Sequence, residues 1–306
     1  MPSPSESSVS ARNREPKSWL TRYIGVQQQY DREIERILRE AEADVDTKIR
    51  SIMGKPGIGA KVRRTQLVGT RGALHKTIAN LWRAMGELIR AGRRDAAAAA
   101  IAQSLDWDDV LLRRALPSKD RAELRASLLA TSDRNIESVV ARITRSKLNL
   151  SEQVYRTRAL SLGWVDRAVN SGLARGDSAD DIAKTVRGFI NPDTPGGVSY
   201  AAKRLVRTEI NNAYHAVTIE HASDKPWITG MVWRLSKSHP RPDICDRLAA
   251  ASPYPAGEVP PKGHPQCLCT VYPDTVTVDE FDRQYRLGAY DGWLSEQTGA
   301  PAILSA

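Results

Sequence analysis

All three cysteines and two of the five histidines fall within 31 residues near the C-terminal end. The segments read Ser238-His239-Pro240-Arg241-Pro242-Asp243-Ile244-Cys245-Asp246 and Gly263-His264-Pro265-Gln266-Cys267-Leu268-Cys269. Thiolate and imidazole are soft and borderline donors suited to Zn²⁺. Eight of the 17 prolines lie between residues 240 and 273, so this stretch has little regular structure to hold itself in place. A cross-link through Cys245, Cys267, Cys269, His264 and His239 would supply what the apolar area does not. In an extended chain Cys267 and Cys269 point to one side, so both could reach one ion, with Cys245 or His239 completing a tetrahedron beside His264.

The spacing is not that of paired Cys-x-x-Cys knuckles, and four readings stand open. The thiols could be buried beside two loop histidines, or could ligate a structural metal. Cys245 could form a disulfide with one of the pair, given an oxidising setting. One cysteine could be a nucleophile, with His264 or His239 as base and Asp243 as orienter. No Gly-rich nucleophile turn or oxyanion hole accompanies that last arrangement.

A second string, Arg204 to His215, contains Arg207-Thr208-Glu209 and Asn211-Asn212-Ala213-Tyr214. On a helix, Leu205, Val206, Ile210, Ala213 and Val217 face the core, while Arg207, Asn211 and Tyr214 share another face. That face is either solvated and ion-paired or braces the loops that follow. His75 and His221 are lone histidines on helical patterns and read as structural. The cluster Gly54, Pro56, Gly57 and Gly59 breaks a helix and lacks the Lys-Ser/Thr ending of a phosphate loop.

The elements that must position these residues read as mainly α. Residues 1–17 are Ser-, Pro- and charge-rich and predict a disordered tail. From Ser18 to Met53 a stripe of Tyr23, Tyr30, Ile34, Ile37, Ala41, Val45, Ile49 and Ile52 predicts one long helix, which needs a bundle partner. Val62 to Ile89 supplies that partner. Asp95 is placed to cap a further helix, Trp107 to Leu116 forms a short one, and Pro117 closes it. Another helix carries Leu124 to Ile143. Ser151 starts the next, and Ser178 with Asp181 forms a capping box for one carrying Ile182, Val186 and Ile190. Beyond the loop Asn191–Gly197 the expectation is a helix from Tyr200 to His221. Strands follow at Ile228–Leu235 and Thr270–Tyr272, then one helix from Phe281 to Leu294. The fold class is therefore a long-helix N-terminal bundle (18–195), a small α+β module with Pro-rich loops (196–273) and an acidic helical tail (274–306).

With 306 residues and 41% hydrophobic composition the chain can bury a real core, and no run of about 20 apolar residues suggests a membrane span. The N-terminus has no apolar core of a secretory signal. The net charge is +9, but residues 274–306 hold six acids against two bases, so residues 1–273 carry +13. A basic body favours phosphate-rich or acidic partners, although the bases are spread out.

The ordered motifs of residues 200–273 resemble the phage Mu F-like head-morphogenesis family. They are Arg-Thr-Glu then Asn-Asn-Ala on a helix, a Trp strand, His-Pro-Arg-Pro-Asp-Ile-Cys-Asp, and Pro-Pro-Lys-Gly-His-Pro-Gln-Cys-Leu-Cys. Carried across by residue, Arg207, Thr208 and Glu209 match the helix motif, and Trp233 the strand. Asp243 and Cys245 match Asp-x-Cys, and His264, Pro265, Cys267 and Cys269 match the closing motif. Two positions depart. Leu248 stands where some members have a second cysteine, and Leu268 where Arg is common. Any tetrahedral site here then needs a histidine.

The resemblance implies a non-enzymatic minor capsid protein in the virion, inside the head near the portal vertex, and in the host cytoplasm during assembly. Its partners would be the portal protein, packaged double-stranded DNA and a major capsid or scaffolding protein. Its roles would be head assembly and DNA ejection. The rival expectations are a metal- or thiol-dependent enzyme acting on DNA or cell wall, and a DNA-binding regulator.

Overall fold

A computed structural model describes residues 17–53, 60–129, 150–237, 239 and 241–298. The tail over 1–16, the break at Gly54–Gly59, the apolar positions Ile136 to Ile143, and Pro240 lie outside the described residues.

The described chain is mainly helical with one small antiparallel sheet near its C-terminal end. Helix α1 spans Lys17–Met53 and α2 Ala60–Ala115. A helix over 118–129, α3, follows. Then come α4 (Leu150–Arg175), α5 (Ala179–Ile190) and α6 (Gly197–Ser223). Strand β1 (Ile228–Arg234) leads to α7 (Ile244–Ala250), a 3₁₀ turn (Ala256–Glu258) and β2 (Thr270–Thr275). The final helices are α8 (Val278–Arg286) and α9 (Asp291–Thr298). No helix among the described residues is long and apolar enough to cross a membrane.

The stripe read from residues 23–49 is buried throughout, from Tyr23 and Tyr30 to Val45 and Ile49. Three expectations are corrected. Asp95 does not cap a new helix, and Trp107–Leu116 is not a separate one, because α2 runs unbroken through both. The intervening Ala96–Ala100 run favours helix, and no proline interrupts the chain before Pro117. The single helix expected over Phe281–Leu294 is instead two, separated at Gly288, whose φ of 73° is left-handed.

The described residues fall into two compact units, each assembled from separate stretches of chain. One takes residues within 27–92 and 144–209. Its core is an aliphatic seam in which Ile34, Leu38, Leu74, Ile78, Met85, Ile182 and Val206 are all fully buried. Lys48 and Asp44 of α1 meet Thr77 of α2, and Trp82 donates to Ser161 of α4 at 3.0 Å. Helix α5 begins with Ser178, whose hydroxyl accepts from the Asp181 N–H while Asp181 accepts from the Ser178 N–H. That is the expected capping box.

The other unit takes residues within 1–26, 93–143 and 210–306. Here β1 and β2 pair antiparallel, with Trp233 opposite Val271 and Met231 opposite Pro273. Trp227 is the hinge pin of the C-terminal helices, meeting Phe281, Tyr290 and Trp293 edge-on at 5.5, 5.6 and 4.7 Å between ring centroids. Its indole N–H donates to Asp108 of α2, which also holds the buried Lys225 ammonium. The Lys225 ammonium donates in turn to Ser104.

Candidate metal centre

Helix α7 begins in the proline-rich stretch because its first residues satisfy their own backbone. Asp243 is the N-cap and accepts from the Cys245 N–H at 2.6 Å. Asp246 reaches back to accept from the Asp243 N–H at 2.7 Å, closing a second capping box. Cys245 is thereby fixed in the first turn with its side chain fully buried. The His264 loop packs onto this helix at Gly263, where an added Cβ would stand 2.5 Å from the Ile244 side chain. Gln266 bends the chain between His264 and Cys267 with a left-handed φ of 59°.

These two segments bring Cys245, His264 and Cys267 together, with all three donor atoms within 4.8 Å of one another. The Cys245 and Cys267 sulfurs are 3.5 Å apart. Two thiolates on one tetrahedral Zn²⁺ lie about 3.8 Å apart, since each Zn–S bond is about 2.3 Å. This cluster could hold a metal ion.

The His264 tautomer decides how well the donors fit. Its Nδ1 sits 2.9 Å from the Pro265 carbonyl, which can only accept, so Nδ1 carries the hydrogen. In the neutral imidazole that leaves Nε2 with its lone pair, buried and without a hydrogen-bond partner. Asp243 Oδ2 lies 3.2 Å from it, outside hydrogen-bond alignment. One imidazole and two sulfurs thus converge, with the Asp243 carboxylate beside the imidazole. A ligating histidine that donates its other N–H to a backbone carbonyl is the usual orientation at metal sites.

Cys269 lies beside Cys267 but outside that 4.8 Å cluster, and accepts from the Ser236 N–H at 3.5 Å. Cys267 and Cys269 are both buried while Leu268 between them is exposed, the alternation of an extended chain. His239 is drawn elsewhere. Its Nε2 is 2.9 Å from Asp246 and 3.8 Å from Asp243, so it joins the two capping carboxylates in a separate group.

Burial pushes the Cys245 thiol up to about 12, whereas hydrogen bonding with Cys269 pulls Cys267 down. The same contact with Cys267, together with burial, raises Cys269. Hydrogen bonding to Asp246 raises His239. Asp243 is lowered chiefly by the Cys245 N–H, and Asp246 by the Asp243 N–H.

Two supporting residues, Lys262 and Asp246, escaped the sequence reading, and Asn211 takes the loop-bracing role that its helix face offered as one alternative. Lys262 is half-buried, desolvation lowers its pKa, and its ammonium donates to the carbonyls of Cys267 and Cys269. Asn211 donates to the Cys267 carbonyl at 3.0 Å and accepts from the Tyr23 hydroxyl at 2.7 Å. Asp246 completes the cap. Only Asp246 had a legible signal, the same three-residue spacing as Ser178 and Asp181. Asn211 and Tyr214 are buried, so their face is not solvated.

The remaining motif residues serve local roles. Arg207 pairs with Asp31 at 2.7 Å, Thr208 donates to the Arg204 carbonyl at 2.6 Å, and Glu209 is buried. Trp233 is buried with its ring edge-on to His215, 5.4 Å between centroids.

No family model, curated protein or solved structure matches this chain. The site's chemistry is therefore argued from its own geometry. With Cys245 fully buried and Cys267 and Cys269 each 2% exposed, a substrate has no open approach to the thiols. The arrangement suits holding two loops together.

Proposed function

We propose that this chain is a structural, non-enzymatic minor capsid protein of a tailed-phage head, of the Mu F-like kind, whose C-terminal module is clamped by zinc. The observation that carries the clamp is the cluster of Cys245, His264 and Cys267, whose donor atoms lie within 4.8 Å of one another, with the His264 Nε2 buried and without a hydrogen-bond partner. Thiolates select Zn²⁺ over harder cations, and Cys269, beside Cys267 but outside the 4.8 Å cluster, would have to move in to supply the fourth donor. The nearby Lys262 ammonium offsets the negative charge of three thiolates.

The head assignment rests on the motif order of residues 200–273. The basic body, +13 over residues 1–273, supports a place beside packaged DNA, with the portal protein and a major capsid or scaffolding protein as neighbours. A catalytic thiol is disfavoured by the burial of all three cysteines.

Two measurements test the reading. Mass spectrometry of purified particles should find the chain at far lower copy number than the major capsid protein. Absence from particles and from assembling proheads overturns the head assignment. Elemental analysis of purified chain should give about one zinc per molecule, and a zinc-free chain of unchanged stability overturns the clamp.

A further inference from the structure

Helices α2 and α4 leave a groove of about 290 Å³ whose rim is basic. Arg83 and Arg90 on α2 face Arg158 on α4, and all three are exposed. Gly86 forms the floor: a Cβ there would reach Val154 of α4 at 3.9 Å, so the missing side chain keeps the groove open between the helices. Tyr155 stands at its edge, 68% exposed. No carboxylate is among the described lining residues, and Glu87 on the same turn of α2 lines a different groove.

Most exposed arginines nearby are compensated. Arg71 is taken by Asp166 at 3.0 Å, Arg36 by Glu33 and Glu40, Arg39 by Asp193, and Arg50 by Asp46 and Asp180. The groove arginines differ. Arg83 has only the neutral Asn80 amide oxygen at 3.0 Å, and Arg90 and Arg158 have no ion pair among the described residues. Three guanidinium groups thus line one concave surface with no carboxylate partner among the described residues, the arrangement that binds phosphate oxygens bidentately.

We infer that this groove seats the phosphodiester backbone of double-stranded DNA, through Arg83, Arg90 and Arg158. Seven residues of helix set the Cα atoms of Arg83 and Arg90 about 10 Å apart. Over that span a duplex presents about six phosphate charges, twice what one strand offers. The one exposed aromatic at the rim is too few for a single-strand stacking platform. The contacts are to phosphate and sugar, so binding is insensitive to sequence. The inference deepens the head-protein proposal by giving its DNA contact an address, and rests on that proposal for which DNA is met in the particle.

The test uses the full chain and a fluorescent 20-base-pair duplex, with affinity read by anisotropy between 50 and 200 mM salt. Arg83→Gln/Arg90→Gln/Arg158→Gln should weaken binding at least tenfold and flatten the log affinity–log salt slope by about 2.7, or 0.9 per phosphate contact. Arg36→Gln/Arg39→Gln/Arg50→Gln removes the same charge from exposed, already paired positions and should stay within threefold of the parent. Equal loss in the two triple variants reduces the effect to net charge and overturns the groove. Tighter binding of a 20-nucleotide single strand, or tighter binding of an acidic peptide than of the duplex, overturns the assigned partner. Should the triple variant fail to fold, Arg158→Glu alone carries the test, and an unchanged salt slope sinks it. The two proposals fail separately: a chain missing from particles keeps its duplex affinity, and a groove that ignores DNA leaves copy number untouched.

Discussion

The aliphatic unit and the C-terminal module solve the same problem with different materials. The former buries continuous seams of Ile, Leu and Val on long helices, and its charges sit outside in exposed pairs such as Arg36 with Glu33 and Glu40. Such pairs contribute little, because solvent screens them. The module has a seven-residue helix, two short strands and proline-rich connections. Its buried cluster consists of Ala222, Met231, Trp233, Val271 and all three cysteines. Where apolar area runs short, thiols, a buried ion pair and capping carboxylates take over. Stability in the first region is spread over many residues, and in the second it is concentrated in a few.

The sharpest way to break that contrast is to remove the proposed zinc. Treatment with a strong zinc chelator, or Cys267→Ser, should strip zinc and lower the module's unfolding midpoint by at least ~10 °C. Near-UV circular dichroism from Trp233 should collapse while far-UV helical signal largely persists. Loss of both signals together would erase the distinction between regions.

Next in size is the buried ion pair. Lys225 and Asp108 have side chains only 3% and 4% exposed. Lys225→Met leaves the Asp108 carboxylate buried with the Trp227 N–H but without its cation, at a cost of about 3–5 kcal/mol by chemical denaturation. Lys225→Met/Asp108→Leu should regain part of that, limited by the indole N–H left without an acceptor. In the aliphatic unit Ile34→Ala should cost about 3 kcal/mol through its cavity. It should leave zinc content at the parent level.

How much of this could be read from sequence follows the same division. The α1 stripe, the Ser178 box and the strand around Trp233 were legible because periodicity and capping are local. The continuity of α2 through Asp95 was not, since a good N-cap residue and an ordinary helix residue look alike without their neighbours. The alternation that buries Cys267 and Cys269 was legible, but the departure of His239 to Asp246 was not. That choice depends on how α7 turns, and α7 exists because two aspartates cap it within a proline-rich stretch. Lys262 stood in the sequence only as one member of the Pro-Pro-Lys-Gly-His-Pro motif. Its burial is set by the carbonyls of Cys267 and Cys269, which no spacing announces.

A smaller effect comes from buried histidine. The His215 Nε2–H donates to the Pro260 carbonyl, and burial drives its pKa down to about 3. Burial takes His221 down to about 4. A histidine lowered on folding binds its proton more tightly when unfolded, so its stabilisation is complete above about pH 6.5 and is lost as pH falls toward the folded value. His239 acts in the opposite sense. Its raised pKa adds stability below about pH 6.5 that disappears as pH climbs through the folded value. Between pH 7 and 4.5 the net slope should be destabilising on acidification. His215→Gln should flatten it, read as melting temperature against pH. An unchanged slope would mean that His215 is charged in the folded state.

The finest comparison uses the capping box, which occurs once in each region among the described residues. In the aliphatic unit Ser178 and Asp181 start α5, and in the module Asp243 and Asp246 start α7. Ser178→Ala removes one acceptor from an exposed helix end and should cost about 1 kcal/mol, with zinc content unchanged. Asp243→Ala removes the equivalent acceptor for the Cys245 N–H, but also the carboxylate 3.2 Å from His264 Nε2. Its helix effect should resemble that of Ser178→Ala, while zinc affinity by competition with a chromophoric chelator falls about tenfold. Asp243→Asn separates the two roles, because an amide oxygen still accepts from Cys245 N–H but carries no charge. Helix content should then recover and zinc affinity should not. Matching recovery of both would reduce Asp243 to a cap and make the two boxes equivalent.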